Sequence, residues 1–506
     1  MTQSIEESVP CSENKSSNPN GSRRKRGFSK IGFVLATAGA AVGLGNIWRF
    51  PIQVQKYGGG AFVIMCLIFA TLLGSVLLML EIAIGRKTGQ GVIGAFRTLC
   101  KKFWWLGILA ALVPLLVLSY YNVIGGWALF YAVYYITYGM GQGFASFDPT
   151  TPSGASNVYN GLLKGANGYV GIIFTLIFLA AIVIVVLMGI QKGIEKVSKV
   201  VMPVLAVFIL FVVIYTLCQG KDAWIGVKNF FVPNFKEFFG LDKGSFKMDG
   251  VLAAITQVFY SLSIGSASII TYGSYMQKKE SIPTATTQII VFDTAICILA
   301  GLIIIPGLFI LGGGQVFLNA EGLIPAGSEL LFVQVPQLFF KTGGQVGSLI
   351  FGSLFFILVF FAAFTPAISQ LEAVVDAAME LFKLTRKKAV IIFSVFFAIM
   401  AILISFGHAF NWRVLPTVST DSPTGWTQMT LDDSIDFVAS TLIVCIVAFL
   451  TCVCAAWCSD FKQIQNEIGY KKKWSHSFYQ VMIKFVAPIL ILIILVWGVL
   501  STFIAF

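Results

Sequence analysis

Charge is scarce in this chain. Only 11% of its 506 residues are Asp, Glu, Lys or Arg, while 57% are hydrophobic and the mean hydropathy is +0.85. A soluble domain needs far more charge to cover its surface, so most of this surface faces lipid. Histidine is rarer still. The two present, His408 and His476, are isolated, and with no metal-spaced carboxylate cluster a membrane-embedded metalloenzyme is excluded. No pore-lining charge ring or filter repeat marks a channel. The nine cysteines sit mostly inside apolar stretches, as Cys66, Cys297, Cys445 and Cys452 do. They lack the spacing of a metal site or disulfide framework and read as small packing residues. A secretory signal is missing as well: the first thirty residues are polar and end in Arg23, Arg24, Lys25 and Arg26, with no apolar core.

What is abundant is long apolar sequence. About eleven segments suffice to cross ~30 Å of hydrocarbon at 1.5 Å per residue. They lie near 31–55, 60–85, 103–139, 169–188, 194–218, 250–276, 286–313, 345–381, 387–408, 434–458 and 480–505. The third and eighth are long for one bilayer and are expected to tilt. The fold class is therefore an all-α polytopic membrane protein.

The basic residues account for the net charge of +12. With the N-terminus inside, Arg86–Lys87, Lys101–Lys102, Lys192, Lys196, Lys199, Lys278–Lys279, Arg386–Lys388 and Lys471–Lys473 all fall on the cytoplasmic side. Glu321, Asp421, Asp432 and Asp433 fall outside, and the C-terminus ends outside just beyond the last span. The basic tail is thus topological, and no nucleic-acid partner is expected. Outer connections near 140–168, 219–249, 314–344 and 409–433 are expected as loops that cap an access route.

Two spans are interrupted. Residues 36–46 hold three glycines and four alanines, and residues 260–268 are small and rich in hydroxyls. Both weaken a helix. They occupy matching places in two five-helix halves, 31–218 and 250–458, the remainder being a tail, 1–30, and a cytoplasmic loop with the eleventh helix, 459–506. Paired interruptions of this kind point to a transport site at the bilayer midplane, in an inverted repeat with discontinuous helices 1 and 6. Freed carbonyls replace the hydration shell of a small cation, and freed N–H groups hold a carboxylate. The alternative is that small residues merely allow close helix packing. Asn46, Ser261, Ser263 and Asp293, on the spans that would meet there, favour the site. Asp293 is an ionisable group in an apolar span, which invites a role. Glu81, Glu372, Asp376 and Glu380 lie near cytoplasmic ends, where snorkelling or pairing with loop lysines explains them.

These residues carry a resemblance. Gly39-Ala-Ala-Val-Gly-Leu-Gly-Asn-Ile-Trp-Arg-Phe-Pro51 followed by Tyr57-Gly-Gly-Gly-Ala-Phe62 resembles the signature of the neurotransmitter:sodium symporter family. Tyr120-Tyr121, Gly193-Ile-Glu-Lys with Pro203, Ser263-Ile-Gly with Ile-Thr-Tyr-Gly-Ser-Tyr275, and Asp436-Phe437 extend it over nearly the whole chain. Eleven spans and the lack of outer glycosylation sequons resemble the bacterial amino-acid members, in the inner (plasma) membrane.

The resemblance implies a sodium-coupled symporter of an α-amino acid, with one or two sodium ions as cofactors, acting as a monomer or homodimer. It implies a first sodium site from the Ala41 carbonyl, Asn46, Ser261, Asp293 and the substrate carboxylate, so that ion and substrate complete each other's site. A second would use carbonyls of Gly39, Val42 and Ala362 with the Thr365 hydroxyl. Here Pro366 replaces the serine that completes that set and offers no side-chain oxygen. Relatives that bind chloride do so where this chain has Cys66, Gln257, Ser261 and Cys297. Asp293 already supplies a fixed negative charge there, so no chloride requirement is expected.

The substrate site implied by the resemblance comprises Ala41, Gly43, Leu44, Gly45, Tyr121, Tyr260, Ser261, Ser263, Ser266 and Gln370. Gly43 leaves room for a carboxylate at the Leu44 and Gly45 amides and the Tyr121 hydroxyl. Ser266 and Gln370 stand where leucine carriers have bulky apolar residues, which favours a larger or partly polar side chain, tryptophan or tyrosine before leucine. Arg49 with Asp436 would close the outer side. Arg24 with Glu380, supported by Ser274 and Tyr275, would close the inner side. Gly27, followed by Phe28, stands where relatives have a tryptophan. Gly193 and Pro203 are spaced as where relatives open a water path, or form an ordinary kink. A proton-coupled carrier of the same architecture, with Asp293 titrating, is the competing reading.

Overall fold

A computed structural model describes residues 27–140, 148, 151–163, 169–241, 244, 246–319, 322–418, 426–469 and 473–504. The first interrupted span is α1 (Lys30–Ala41) and α2 (Leu44–Lys56), bent by 65°. There follow α3 (Gly60–Thr88), the short α4 (Val92–Leu99), α5 (Lys101–Gly139), α6 (Tyr169–Leu187) and α7 (Ile190–Leu217). The second interrupted span is α8 (Asp249–Ser261) and α9 (Ser268–Ser274). Then come α10 (Ile282–Leu311), α11 (Gly327–Phe382), α12 (Arg386–Ala409), α13 (Leu431–Cys458), a short α14 (Phe461–Ile468) and α15 (Ser475–Phe503). Among the described residues, nine helices are long and apolar enough to cross a membrane, and α1 with α2 makes a tenth. The α8–α9 pair supplies the remaining expected span.

Both interruptions fall where the small residues are. Val42 and Gly43 adopt extended backbone (ψ 104° and −172°), which ends α1 before α2 begins. Between α8 and α9 the chain passes through left-handed conformations at Ser263 (φ 53°), Gly265 (φ 80°) and Ala267 (φ 63°). Two of those three are not glycine, and a left-handed non-glycine persists only where its surroundings over-determine it.

Helix α1 packs against α7, α10 and α11, α5 runs along α11, and α9 lies against α3. At the α3–α9 crossing the backbones nearly touch. A Cβ on Gly85 would sit 2.1 Å from the Ile270 carbonyl oxygen, so only glycine fits. The outer flank of the bundle stays apolar: Val200, Val207, Phe211 and Ile214 line one exposed face of α7. That is a lipid-facing stripe, since hydrocarbon tails are as apolar as these side chains.

The described parts of the connections expected outside differ from expectation. They hold structure of their own: short helices at Pro152–Asn157 and Lys221–Phe231, and an antiparallel hairpin of β1 (Arg413–Val418) and β2 (Trp426–Thr430). The segment before the eighth span is helical as well, and Gly344 (φ 59°, ψ −156°) breaks it from the span at 345–382. Composition mistook these for loops because glycine-rich, aromatic-bearing segments can still cover a bundle end with short amphipathic pieces.

Candidate functional site

The two interruptions face one another across a cavity of about 1030 Å³ that opens at the end of the bundle away from the basic connections. Ala41, Gly43, Leu44, Gly45, Tyr121, Tyr260, Ser261, Ser263, Ser266 and Gln370 all lie on its wall. The interruptions are tied together. Ser263 Oγ donates to the Ala40 carbonyl at 2.9 Å, and Leu44 N–H points at the Tyr121 hydroxyl at 3.3 Å. A Cβ on Gly43 would stand 3.3 Å from that hydroxyl and 3.5 Å from Pro366 Cγ, so the glycine keeps the approach to the Leu44 and Gly45 amides open. These amides sit at the positive start of α2, while the carbonyls that end α1 face them across the break. One concave surface therefore offers donors and acceptors for a zwitterion. Also on the cavity wall, Gln370 Oε1 is buried without a hydrogen-bond donor.

Beside this surface lies a buried carboxylate cluster. Asn46 Nδ2 donates to Asp293 Oδ1 at 2.7 Å and to Ser261 Oγ at 3.1 Å, and Ser261 Oγ donates to Asp293 Oδ2 at 2.5 Å. Asn46 Oδ1 accepts from Gly43 N–H at 3.2 Å, which fastens the cluster to the first interruption. Three helical spans thus bring a carboxylate, a hydroxyl and an amide together, with Asp293 only 4% exposed. This hard-oxygen set suits a sodium ion. A half-turn of the Asn46 amide would aim its oxygen where the nitrogen now donates, giving up the bond from Gly43 N–H.

The second expected ion set also gathers. Gly39 faces Thr365: a Cβ there would meet Thr365 Cβ at 3.1 Å and Met202 Sδ at 3.2 Å. Val42, Ala362 and Thr365 are all buried. Thr365 Oγ1 donates to the Phe361 carbonyl at 3.3 Å. Pro366 lies inside α11 and has no N–H, so the Ala362 carbonyl one turn earlier lacks its usual helical partner. The residue that removes one oxygen ligand therefore frees the lone pairs of another.

The charge pairs behave differently. Arg49 lies over the Tyr260 ring at 4.0 Å, and Asp436 Oδ1 accepts from Tyr120 at 2.6 Å and from Ser440 at 2.7 Å. Both charges line the cavity mouth, with Tyr260 and Tyr120 between them and no direct ion pair. At the basic end, Arg24 lies outside the described residues. Glu380 accepts from the Gly91 and Gly94 amides at 2.6 and 2.9 Å, which caps α4. Ser274 donates to the Thr271 carbonyl at 2.6 Å, and Tyr275 donates to Glu372 at 3.2 Å. Phe28 takes up the space beside Gly27: its ring packs edge-on against Tyr272 and Tyr275, and its N–H donates to the Tyr275 carbonyl at 3.1 Å. In α7, Gly193 lies in a widened turn, and Glu195 beside it accepts from Ser29 Oγ at 2.5 Å and Lys199 at 2.6 Å.

Two of the carboxylates explained above by snorkelling do more than that. Glu372 is fully buried and holds the Arg386 guanidinium, which also reaches the Val186 carbonyl at 2.8 Å. Glu81 is 2% exposed, and its Oε1 accepts from Gly265 N–H at 2.7 Å inside the second interruption. Its place in an apolar span, away from the last basic turn, was the one available signal.

Residues 24–145 and 163–504 match the sodium:neurotransmitter symporter family. An uncharacterised sodium-dependent transporter of Bacillus subtilis, YhdH, is 36% identical over 359 residues, covering 69% of this chain and 71% of its own length. Another from Methanocaldococcus jannaschii, MJ1319, is 28% identical and covers 88% of this chain and 84% of its own. Among solved structures, MhsT in complex with L-phenylalanine superposes with a TM-score of 0.78 at 31% identity, covering 94% of this chain and 100% of that one.

Proposed function

Because this chain belongs to the sodium:neurotransmitter symporter family, a family of sodium-dependent membrane transporters, we propose that it is a symporter that couples import of an α-amino acid to sodium. The observation that carries this reading is the meeting of two helix interruptions with the Asn46–Ser261–Asp293 cluster on one side and the Leu44–Tyr121 contact on the other. In it, the substrate carboxylate rests on the Leu44 and Gly45 amides and the Tyr121 hydroxyl, and its free oxygen completes a sodium site with Asn46, Ser261, Asp293 and the Ala41 carbonyl. Each ligand then binds better with the other present. A second sodium ion rests on Gly39, Val42, Ala362 and Thr365. Chloride has no part, because Asp293 provides the anionic charge.

The side chain of the substrate points toward Ser266 and Gln370, and the unsatisfied Gln370 Oε1 supports a large side chain with a polar edge, such as tryptophan or tyrosine. The likeness to a carrier crystallised with L-phenylalanine supports the same class. Residues 31–218 and 250–458 act as inverted halves that rock around the site, with the basic connections in the cytoplasm of a bacterial cell and the cavity open outward. Arg49 and Asp436 close over the bound substrate, and Arg24 with Glu380 guards the other end.

The test is a binding screen of radiolabelled amino acids on the purified chain, run in sodium and in potassium. Aromatic amino acids should bind in sodium alone. Equal binding in potassium removes the coupling. Leucine outcompeting tryptophan and tyrosine removes the pocket argument, and loss of uptake in gluconate would restore a chloride requirement.

A further inference from the structure

The Lys221–Phe231 helix, which follows α7, has two unlike faces. Ala223, Gly226 and Phe230, at steps of three and four residues, are buried against α10. The helix descends beside the last turns of that span. A Cβ on Gly314 would stand 3.3 Å from Asp222 Oδ1, one on Gly226 would meet Pro306 Cα at 2.5 Å, and one on Gly301 would meet the Phe230 ring at 2.4 Å. Its lower end is level with the start of α3, where a Cβ on Gly60 would meet the Phe231 carbonyl oxygen at 2.1 Å. The 30 residues of α10 span about 45 Å against ~30 Å of hydrocarbon, so its end turns reach the headgroup layers. The helix lies at that height. Its opposite face repeats Lys221, Trp224, Lys228 and Phe231, also at steps of three and four, and all four are exposed, Trp224 by 59% and Phe231 by 49%. Beyond it, the exposed Phe235 and Phe246 stack on Phe239 at 6.4 and 5.6 Å, with Lys236 and Lys247 next to them in the chain. None of these side chains lines the main cavity. Among the described residues, none of the four lysines forms an ion pair.

We propose that this face seats an anionic phospholipid of the leaflet on the cavity side, its phosphate between Lys221 and Lys228 and its upper acyl chains against Trp224 and Phe231. In water, Trp224, Phe231, Phe235 and Phe246 would leave a broad apolar patch uncovered; in hydrocarbon, the lysines would be stranded charges. The headgroup layer suits both, with rings among the first methylenes and ammonium groups reaching out to phosphate. The stripe also continues the lipid-facing side of α7, whose exposed Ile214 stands one turn before that helix ends at Leu217. Unpaired lysines select a negative headgroup over a zwitterionic one, whose own amine competes for the phosphate. Free phosphate would leave the rings uncovered. A second copy related by a two-fold axis would set the same lysines against one another. The helix grips α10, so an occupied seat should brace the end of that span nearest the cavity mouth. The seat stands whatever ion or amino acid the central cavity takes.

The full chain is reconstituted in nanodiscs of phosphatidylcholine, or of equal parts phosphatidylcholine and phosphatidylglycerol. Lipids brominated high on their acyl chains should quench a part of the tryptophan emission that the W224F variant lacks, and aqueous iodide should leave that part alone. In detergent, native mass spectrometry over a phosphatidylglycerol titration should show the K221Q/K228Q variant binding that lipid more weakly, by about fivefold for each charge removed. Its binding of phosphatidylcholine should match the wild type. Melting in detergent without phosphatidylglycerol should be the same for both chains, which separates a lost lipid from a lost fold. Trp224 emission open to iodide and untouched by brominated lipid overturns the seat. So does equal phosphatidylglycerol affinity in K221Q/K228Q and wild type. A dimer that forms in the wild type and is lost in W224F would place a second copy on this face, and overturns it too.

Discussion

Glu81 and Gly265 lie 184 residues apart, yet the carboxylate of one accepts the main-chain N–H of the other at 2.7 Å, both shielded from solvent. This contact braces the segment between α8 and α9 against its own left-handed strain at Ser263 and Ala267. Without it the Gly265 amide would be a buried donor with no partner, a cost of about 1–3 kcal/mol. The Glu81→Ala variant should melt several degrees lower and bind amino acid roughly tenfold more weakly. Glu81→Gln keeps an acceptor oxygen and should recover most of both. Thermal unfolding in detergent beside a binding isotherm checks the pair; equal losses in the two variants would assign the effect to charge rather than to the hydrogen bond.

Gly43 offers a sharper test of which end of the substrate it faces. A methyl group placed there would stand 3.3 Å from the Tyr121 hydroxyl and 3.5 Å from Pro366, so a side chain there enters the place proposed for the substrate carboxylate. Gly43→Asp puts a fixed negative charge there. Like charges brought together cost several kcal/mol, so amino-acid affinity should fall about a hundredfold or more. The decarboxylated amine of the same substrate should bind the variant better than it binds the wild type. Competition binding with the two ligands separates these outcomes.

Thr365 tests the second ion. Its hydroxyl now donates only to Phe361 one turn back, so Thr365→Val removes an oxygen without breaking a tertiary contact. If sodium rests there, the sodium concentration for half-maximal substrate binding should rise about tenfold, roughly the loss of one ligand interaction of 1–1.5 kcal/mol, and the sodium dependence should become less steep. A sodium curve unchanged in midpoint and slope would show that Pro366 has dismantled the site.

Glu467 carries a pH dependence outside the bilayer. Burial alone would raise its pKa, but the hydrogen bonds and charges of Lys278 and Arg86 outweigh burial and hold it below the ordinary glutamate range. A carboxylate whose pKa is lower folded than unfolded stabilises the fold above its unfolded value, about 4.3, and that contribution is lost as pH falls through the folded value. The Glu467→Gln variant should therefore melt below the wild type at pH 7. The gap should close progressively below about pH 4. Melting curves across pH 3–8 test this, and a constant gap would contradict it.

The spans were legible because hydrocarbon thickness demands long apolar runs, and so was the first interruption, where Gly39, Gly43 and Gly45 crowd one stretch. The expectation of an ion site came from the resemblance; the structure brings Asn46, Ser261 and Asp293 into hydrogen-bond contact. What was hidden depends on distant partners. Nothing local to Glu81 announces Gly265, and nothing near Glu380 announces the α4 amides it caps. Left-handed backbone at Ser263 and Ala267 was equally invisible, because neither residue type prefers it. The hairpin and the helix before Gly344 escaped notice because short covering elements leave little periodicity to read.

Phe28 ties the start of α1 to the end of α9 through three aromatic rings and one peptide hydrogen bond. The pieces of both interrupted spans nearest the basic end are therefore fastened to one another, each on the same side of its break, at Gly43 and at the Ser263–Ala267 stretch. Any opening at that end swings the two together, or must first unfasten the knot that Phe28 makes.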